Sequence, residues 1–187
     1  KSIAEYLAKE GYRVYGTSRK QQPGNNGDEQ GGTDCFPKMI QLDVCSDESV
    51  ESAINYILEK EGTINILINN AGFGIAGSIE DTNEDEAYRQ FNTNFFGVHR
   101  MCRRVLPIMR RQGNGLIINV GSVAGLISIP FQAMYSASKY AIEAFTEALR
   151  IEVRPFGIKV ALVEPGDTRT GFTSNRQFVM ASDDSSP

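Results

Sequence analysis

The chain has 187 residues, of which 41% are hydrophobic and 22% charged, the proportions of one ordinary globular domain able to bury a sizeable core. Its net charge of −4 excludes the basic character of a nucleic-acid binder, and no run approaches the roughly 18 apolar residues that span a bilayer. Three cysteines (Cys35, Cys45, Cys102) without a CxxC spacing, a lone His99 and an N-terminus lacking an apolar signal core predict reduced thiols, no metal site and a cytoplasmic location.

In chain order, residues 2–10 predict a short amphipathic helix stopped by Gly11, followed by a strand at Tyr12–Thr17. The glycine-rich polar stretch 20–36 reads as an exposed loop. Met39–Asp43 is the next strand, and Ser46-Asp47 caps a helix running to about Lys60. Ile64–Ile68 is an apolar strand ending in Asn69-Asn70-Ala71-Gly72. A long helix is expected from about Glu84 to Arg111, interrupted near Pro107. Its arginines (Arg100, Arg103, Arg104, Arg110, Arg111) read as a solvated face or an interface rim, and His99 as a structural helix residue. Leu116–Val120 is a strand, Met134 to about Val153 a helix, Ile158–Val163 the last strand, and the chain closes on a polar tail from about residue 174. Short apolar strands alternating with helices predict right-handed βαβ units, hence an α/β, Rossmann-like, doubly wound parallel sheet in one domain over residues 1–187. Ligands of such sheets bind beyond the carboxyl ends of the strands, where the polar motifs fall.

Tyr135 and Lys139 are four residues apart on a predicted helix, so the phenol and the ammonium share a face. A cation beside a phenol stabilises the phenolate and favours proton exchange. Ser122 lies 13 residues before Tyr135, after a strand, and a hydroxyl there can orient a carbonyl or alcohol. A Tyr-x-x-x-Lys spacing alone is a weak signal, since any helix produces one by chance.

Four further motifs stand in order beside it: Asn69-Asn70-Ala71-Gly72, Asn94 within Asn92–Gly97, Gly121-Ser122-Val123-Ala124-Gly125, and Pro165-Gly166-Asp167-Thr168-Arg169-Thr170. Together they resemble the short-chain dehydrogenase/reductase family over about residues 2–172. The texture of 101–131 is similar to hydroxysteroid and retinol dehydrogenases and to bacterial keto-reductases. The resemblance implies an oxidoreductase that interconverts a carbonyl and an alcohol by hydride transfer. In it Tyr135 is the general acid/base and Lys139 promotes its proton exchange and bonds the nicotinamide ribose. Ser122 holds the substrate oxygen, and Asn94 supports a water and a proton relay to Lys139. Asn70, Ala71 and Gly72 shape the crevice on the adenosine side, while Pro165, Gly166, Thr168 and Thr170 lie around the carboxamide and pyrophosphate. Asp43-Val44 resembles the adenine-contacting pair, with Asp43 as a cap before the next helix the alternative.

Cofactor choice is read from Ser18-Arg19 at the end of the second expected family strand. A carboxylate there would bond a ribose 2′-hydroxyl; none is present, and an arginine can engage a 2′-phosphate, so NADP(H) is favoured over NAD(H). The apolar stretches 71–77 and 125–131 either line a pocket for a hydrophobic carbonyl or alcohol substrate or belong to the core. The family's glycine-rich turn, which lets backbone approach the pyrophosphate, would precede Lys1 and is not in this sequence, so the chain is expected to be a fragment of a longer enzyme, incomplete at both ends. Its loss predicts weak cofactor binding, and a truncated or non-catalytic binding module is the competing reading. The longer epimerase branch of Tyr-x-x-x-Lys proteins is disfavoured by the short spacing from Tyr135 to Pro165-Gly166. The resemblance also implies a homodimer or homotetramer paired through helices 84–111 and 134–153.

Overall fold

The computed structural model describes residues 2–20, 36–166 and 176–179, in two compact units, Lys1–Gly62 and Thr63–Pro187. Thr168, Thr170 and almost all of the glycine-rich loop lie outside the described residues.

In the first unit, α1 (Ser2–Lys9) turns Ala8 inward and ends at Gly11, whose φ of 86° suits a residue without a Cβ. Strands β1 (Tyr15–Ser18) and β2 (Lys38–Gln41) pair in parallel. β1 begins three residues later than the aromatic run suggests, because Tyr12 is still bound to α1 through its N–H on the Leu7 carbonyl. Helix α2 (Asp47–Glu61) starts where the Ser46 hydroxyl accepts the Ser49 N–H, as the sequence predicts, and buries Val50, Ala53 and Ile54 at helical spacing. At its far end Glu61 accepts from the Arg13 guanidinium and, at 2.6 Å, from the Tyr15 hydroxyl. Burial and the Glu61 contact push the Tyr15 phenol well above its ordinary value, while the hydrogen bonds from Tyr15 and Arg13 hold the Glu61 carboxyl below its own.

The second unit is built on a parallel sheet ordered β3 (Ile66–Asn69), β5 (Gly115–Val120), β6 (Ile158–Val163). Helices α4 (Gly97–Gln112) and α5 (Ala133–Val153) are the crossovers that return the chain to parallel strands. Between sheet and helices the core packs Val105, Met109, Ile117 and Ile142, all essentially sealed from solvent. The strands are not wholly apolar. Asn69 and Asn119 are register partners, and the Asn69 amide donates to Asn119 Oδ1 at 2.9 Å and approaches Cys102 Sγ at 3.5 Å. Asn119 in turn donates to Thr146 Oγ1 of α5 at 2.9 Å. Thus Asn69 belongs to the core, not to the crevice.

Two features depart from expectation. The long helix is broken at 92–96 rather than at Pro107: α3 (Glu84–Phe91) passes into a π-helical turn, Asn92–Phe96, and α4 then runs through Pro107 without a break. The wider turn rotates Asn94 inward, where the main chain of Phe73 holds its carboxamide from both ends. Second, within the stretch read as a polar tail, Gln177–Phe178 forms a strand (β7) that pairs in parallel with β4 (Ile75–Ala76). β4 buries Ile75 and Ala76, so this part of 71–77 is core.

Candidate active site

Three chain segments leave the carboxyl ends of β3, β5 and β6, and α5 enters beside them. Tyr135 is the third residue of α5 and is 7% exposed; Lys139 stands one turn later, also 7% exposed. The ammonium donates to the carbonyl of Val120, the last residue of β5, at 2.8 Å, and lies 5.8 Å from the Tyr135 ring centroid. Burial disfavours its charge and brings the Lys139 pKa down to about 8, against a smaller opposing pull from Glu143. A lysine so tuned sheds or takes a proton in the range where carbonyl chemistry needs one.

Asn94 is fully buried. Its Oδ1 accepts from Phe73 N at 3.1 Å, and its Nδ2 donates to Phe73 O at 3.0 Å and to Ser138 Oγ at 3.1 Å. Ser138 passes the chain of bonds onward by donating to the Tyr135 carbonyl at 2.7 Å. Gln90 seconds the same loop, donating to Phe73 O at 2.6 Å and accepting from Ile75 N at 2.8 Å. The motifs do not single out Ser138 and Gln90, which hydrogen-bond to Asn94 and to the loop at Phe73 respectively. Ser138 sits inside the Tyr-Ser-Ala-Ser-Lys stretch, and Gln90 is four residues before Asn94 on α3.

Gly72 packs closely here: a Cβ there would stand 3.1 Å from Asn94 Oδ1, so that a side chain would crowd the Asn94 carboxamide, and 4.0 Å from Lys139 Nζ. Asn70, Ala71 and Gly72 are exposed above that point. Ser122 follows β5 by two residues. Its Oγ accepts the Ala124 N–H at 3.1 Å, which caps the short turn Val123–Gly125 and leaves the hydroxyl proton to be donated elsewhere. The same turn is tied to the segment after β6, since Val123 N donates to Pro165 O at 3.2 Å. Ser122, Tyr135, Lys139, Asn94, Gly72, Pro165 and Gly166 therefore belong to one end of the second unit.

The remaining cofactor candidates, Ser18, Arg19, Asp43 and Val44, lie in the first unit. Ser18 ends β1 and its hydroxyl accepts the Lys20 N–H at 3.3 Å; the carbonyl of the exposed Arg19 accepts from Gln41 Nε2 at 3.2 Å. Asp43 Oδ1 accepts the Cys45 N–H at 2.9 Å in an Asx turn, while its own N–H donates to Ser49 Oγ, so it shapes the loop before α2 without capping that helix. Val44 lies in this same turn. No group of three or more potential metal ligands occurs among the described residues.

Known proteins place this geometry. The family model described as short chain dehydrogenase matches residues 1–178. The 3-ketodihydrosphingosine reductase of Bacteroides thetaiotaomicron is 48% identical over 178 residues, covering 95% of this chain and 63% of that protein. A crystal structure of a short-chain dehydrogenase from Streptomyces avermitilis superposes with a TM-score of 0.84 at 33% identity, covering 98% of this chain and 67% of the other. Two solved neighbours carry nicotinamide cofactors: ElxO with NADP bound (TM-score 0.80, 30% identity, 88% and 67% coverage) and a Burkholderia phymatum enzyme with NAD (0.71, 32%, 73% and 50%). The chain spans about three-fifths of the length of the curated relatives it matches. With a Rossmann-like fold and the family model matched along nearly its whole length, the chain belongs to the short-chain dehydrogenase family.

Proposed function

We propose that residues 1–187 form one NAD(P)-binding domain of an NADP(H)-dependent oxidoreductase that interconverts a carbonyl and an alcohol. The carrying observation is the desolvated Lys139 ammonium, fixed by the Val120 carbonyl beside the face of Tyr135. Gly72, having no Cβ, lets the loop after β3 lie close against Asn94 and Lys139, a close backbone approach that fits a nicotinamide nucleotide; Asn70, Ala71, Gly72, Lys139, Pro165 and Gly166 would hold it. When bound, that group supplies or receives the hydride. Tyr135 exchanges a proton with the substrate oxygen, and Ser122 donates a hydrogen bond to that oxygen. The Lys139 ammonium stabilises the phenolate left when Tyr135 gives up its proton and can pass its own proton back to it, and Asn94 fixes the loop at Phe73. Thr168 and Thr170, outside the described residues, are assigned here by resemblance alone.

Preference for NADP(H) is supported by Ser18 standing where a carboxylate would select NAD, with the exposed Arg19 beside it. A ketone on a hydrophobic substrate is supported by the substrate named for the Bacteroides relative and by the exposed Leu126, Ile127 and Phe131 of the loop after Ser122. Pairing of copies through α3, α4 and α5, where Tyr88 and Ile151 are exposed, is expected on the same reading, and sedimentation showing only monomer would remove it. The test of the activity is NADPH oxidation by the full-length gene product with a panel of ketones. Tyr135→Phe is expected to lower turnover about 10³-fold with folding intact; full activity in that variant overturns the assignment.

A further inference from the structure

Beneath Lys139 lies a pair of carboxyls that the chemistry above does not use. Glu143 follows Lys139 by four residues on α5, so the two side chains share a helix face. Glu143 Oε1 is shielded from solvent, and among the described residues no N–H or hydroxyl donates to it. It lies against the backbone where β5 leaves the sheet: a Cβ on Gly121 would come within 2.9 Å of it and a Cβ on Gly125 within 3.0 Å. The same position on Gly121 is 3.6 Å from Cγ of Glu164, the residue after β6, whose carboxyl faces that of Glu143 at hydrogen-bonding range.

Two ionised carboxylates cannot hydrogen-bond each other, whereas one proton between them makes a charge-assisted bond. Burial and the Glu164 charge push Glu143 up to about 7. Among the described residues the charged groups facing it are Lys139 and Glu147, one turn to either side on α5, and Glu164 beyond β6. We propose that Glu143 and Glu164 are positioning residues, a proton-sharing pair whose ionisation sets the charge beneath Lys139 and thereby the pH at which that lysine releases its proton. Its effect on turnover rests on the Tyr135/Lys139 reading; the titration itself does not.

The test is NMR titration of the chain labelled with ¹³C at Glu Cδ and Lys Cε, which needs no turnover. Glu143 should titrate near 7, and Glu164→Gln should return it toward the ordinary carboxylate range. In Glu143→Gln the Lys139 midpoint should fall by about half a pH unit, because an anion that favours its ammonium is gone. If Glu143→Gln does not fold, the Lys139 midpoint in Glu164→Gln, expected to rise slightly because Glu143 then stays fully ionised beside it, decides the question. A Glu143 midpoint in the ordinary range overturns the proposal, as does a Lys139 midpoint unmoved in both variants. In the full-length protein the pH profile of turnover should move with the Lys139 midpoint. Absence of NADPH oxidation there refutes the catalytic reading and leaves the titration to decide this one.

Discussion

Two groups of buried polar side chains lie along β5, one in mid-core and one at the strand's carboxyl end. In the first, Asn69, Asn119 and Thr146 bond in sequence, with Cys102 closing the row. Every member is neutral, and the row stitches β3 to β5 and β5 to α5. In the second, the members are Asn94, Ser138, Tyr135, Lys139 and Glu143. It holds a desolvated ammonium, a carboxyl oxygen with no donor among the described residues, and glycines whose missing Cβ atoms let these side chains pack close. A neutral, satisfied network adds uniqueness to a core. A network that keeps a buried charge below its ordinary stability has been held there by the surrounding fold, and that is the condition for proton transfer near neutral pH. Position on one strand separates the two by only a few residues: Asn119 points into the core and Val120 offers its carbonyl to the site.

The largest effect that tests this division is Lys139→Met. It should remove turnover by about 10³-fold in an NADPH assay while leaving thermal unfolding unchanged or raised, since a buried charge has been deleted. A variant that unfolds instead would show that the second group is structural like the first. Next in size, Asn119→Ala should cost about 3 kcal/mol in urea unfolding, because the Asn69 amide loses its acceptor and the Thr146 hydroxyl its donor inside the core. The residual folded protein should retain the Lys139 titration midpoint. If that midpoint moves, the two groups are coupled.

How much of this could be read from the residues differs between the groups in the same way. The strand–helix alternation and the strand-end motifs were legible because period and order are local properties of the chain. Tyr135, Lys139 and Ser122 were legible by spacing. The role of Asn69 was not: within Asn69-Asn70-Ala71-Gly72 nothing local distinguishes the asparagine that faces the core from the one that faces the crevice, and only register with Asn119 decides it. The break in the long helix falls at Asn92–Phe96 and not near Pro107 for a related reason. Pro107 is a visible local breaker, yet the helix tolerates it, while the bonds that bend the chain at Asn94 come from Phe73, 21 residues away. Glu143 is a surface-type residue by pattern; its confinement depends on Gly121, Gly125 and Glu164 arriving from two other strands.

A smaller effect separates the groups by pH. The Lys139 pKa of about 8 in the fold lies below the ordinary 10.5, so between those values the unfolded chain binds the extra proton. Stability therefore rises with pH across that window, and the penalty on the ammonium is fully present only below about 8. The gap of about 2.5 units corresponds to about 3 kcal/mol at most. Lys139→Met should lose this rise relative to the parent when urea midpoints are compared at pH 7 and 10. Asn119→Ala should keep it, because the mid-core row carries no titrating charge in that range. Equal slopes in parent and Lys139→Met would mean that the lysine is not desolvated.

The smallest expected signal comes from Cys102, at the end of the mid-core row. Burial, only partly offset by the Asn69 contact, pushes its thiol up to about 12. The thiolate is the reactive form, so at pH 8 Cys102 is inert both by protonation and by access. Cys45 is half-buried in the loop before α2 and is the internal control. Brief treatment of the native chain with iodoacetamide, followed by peptide mass spectrometry, should label Cys45 and leave Cys102 unlabelled until denaturant is added. Labelling of Cys102 in the native state would mean that the row opens on the timescale of the reaction. The closed, neutral cluster would then be no tighter than the charged one above it, and the contrast between them would fail at its quieter end.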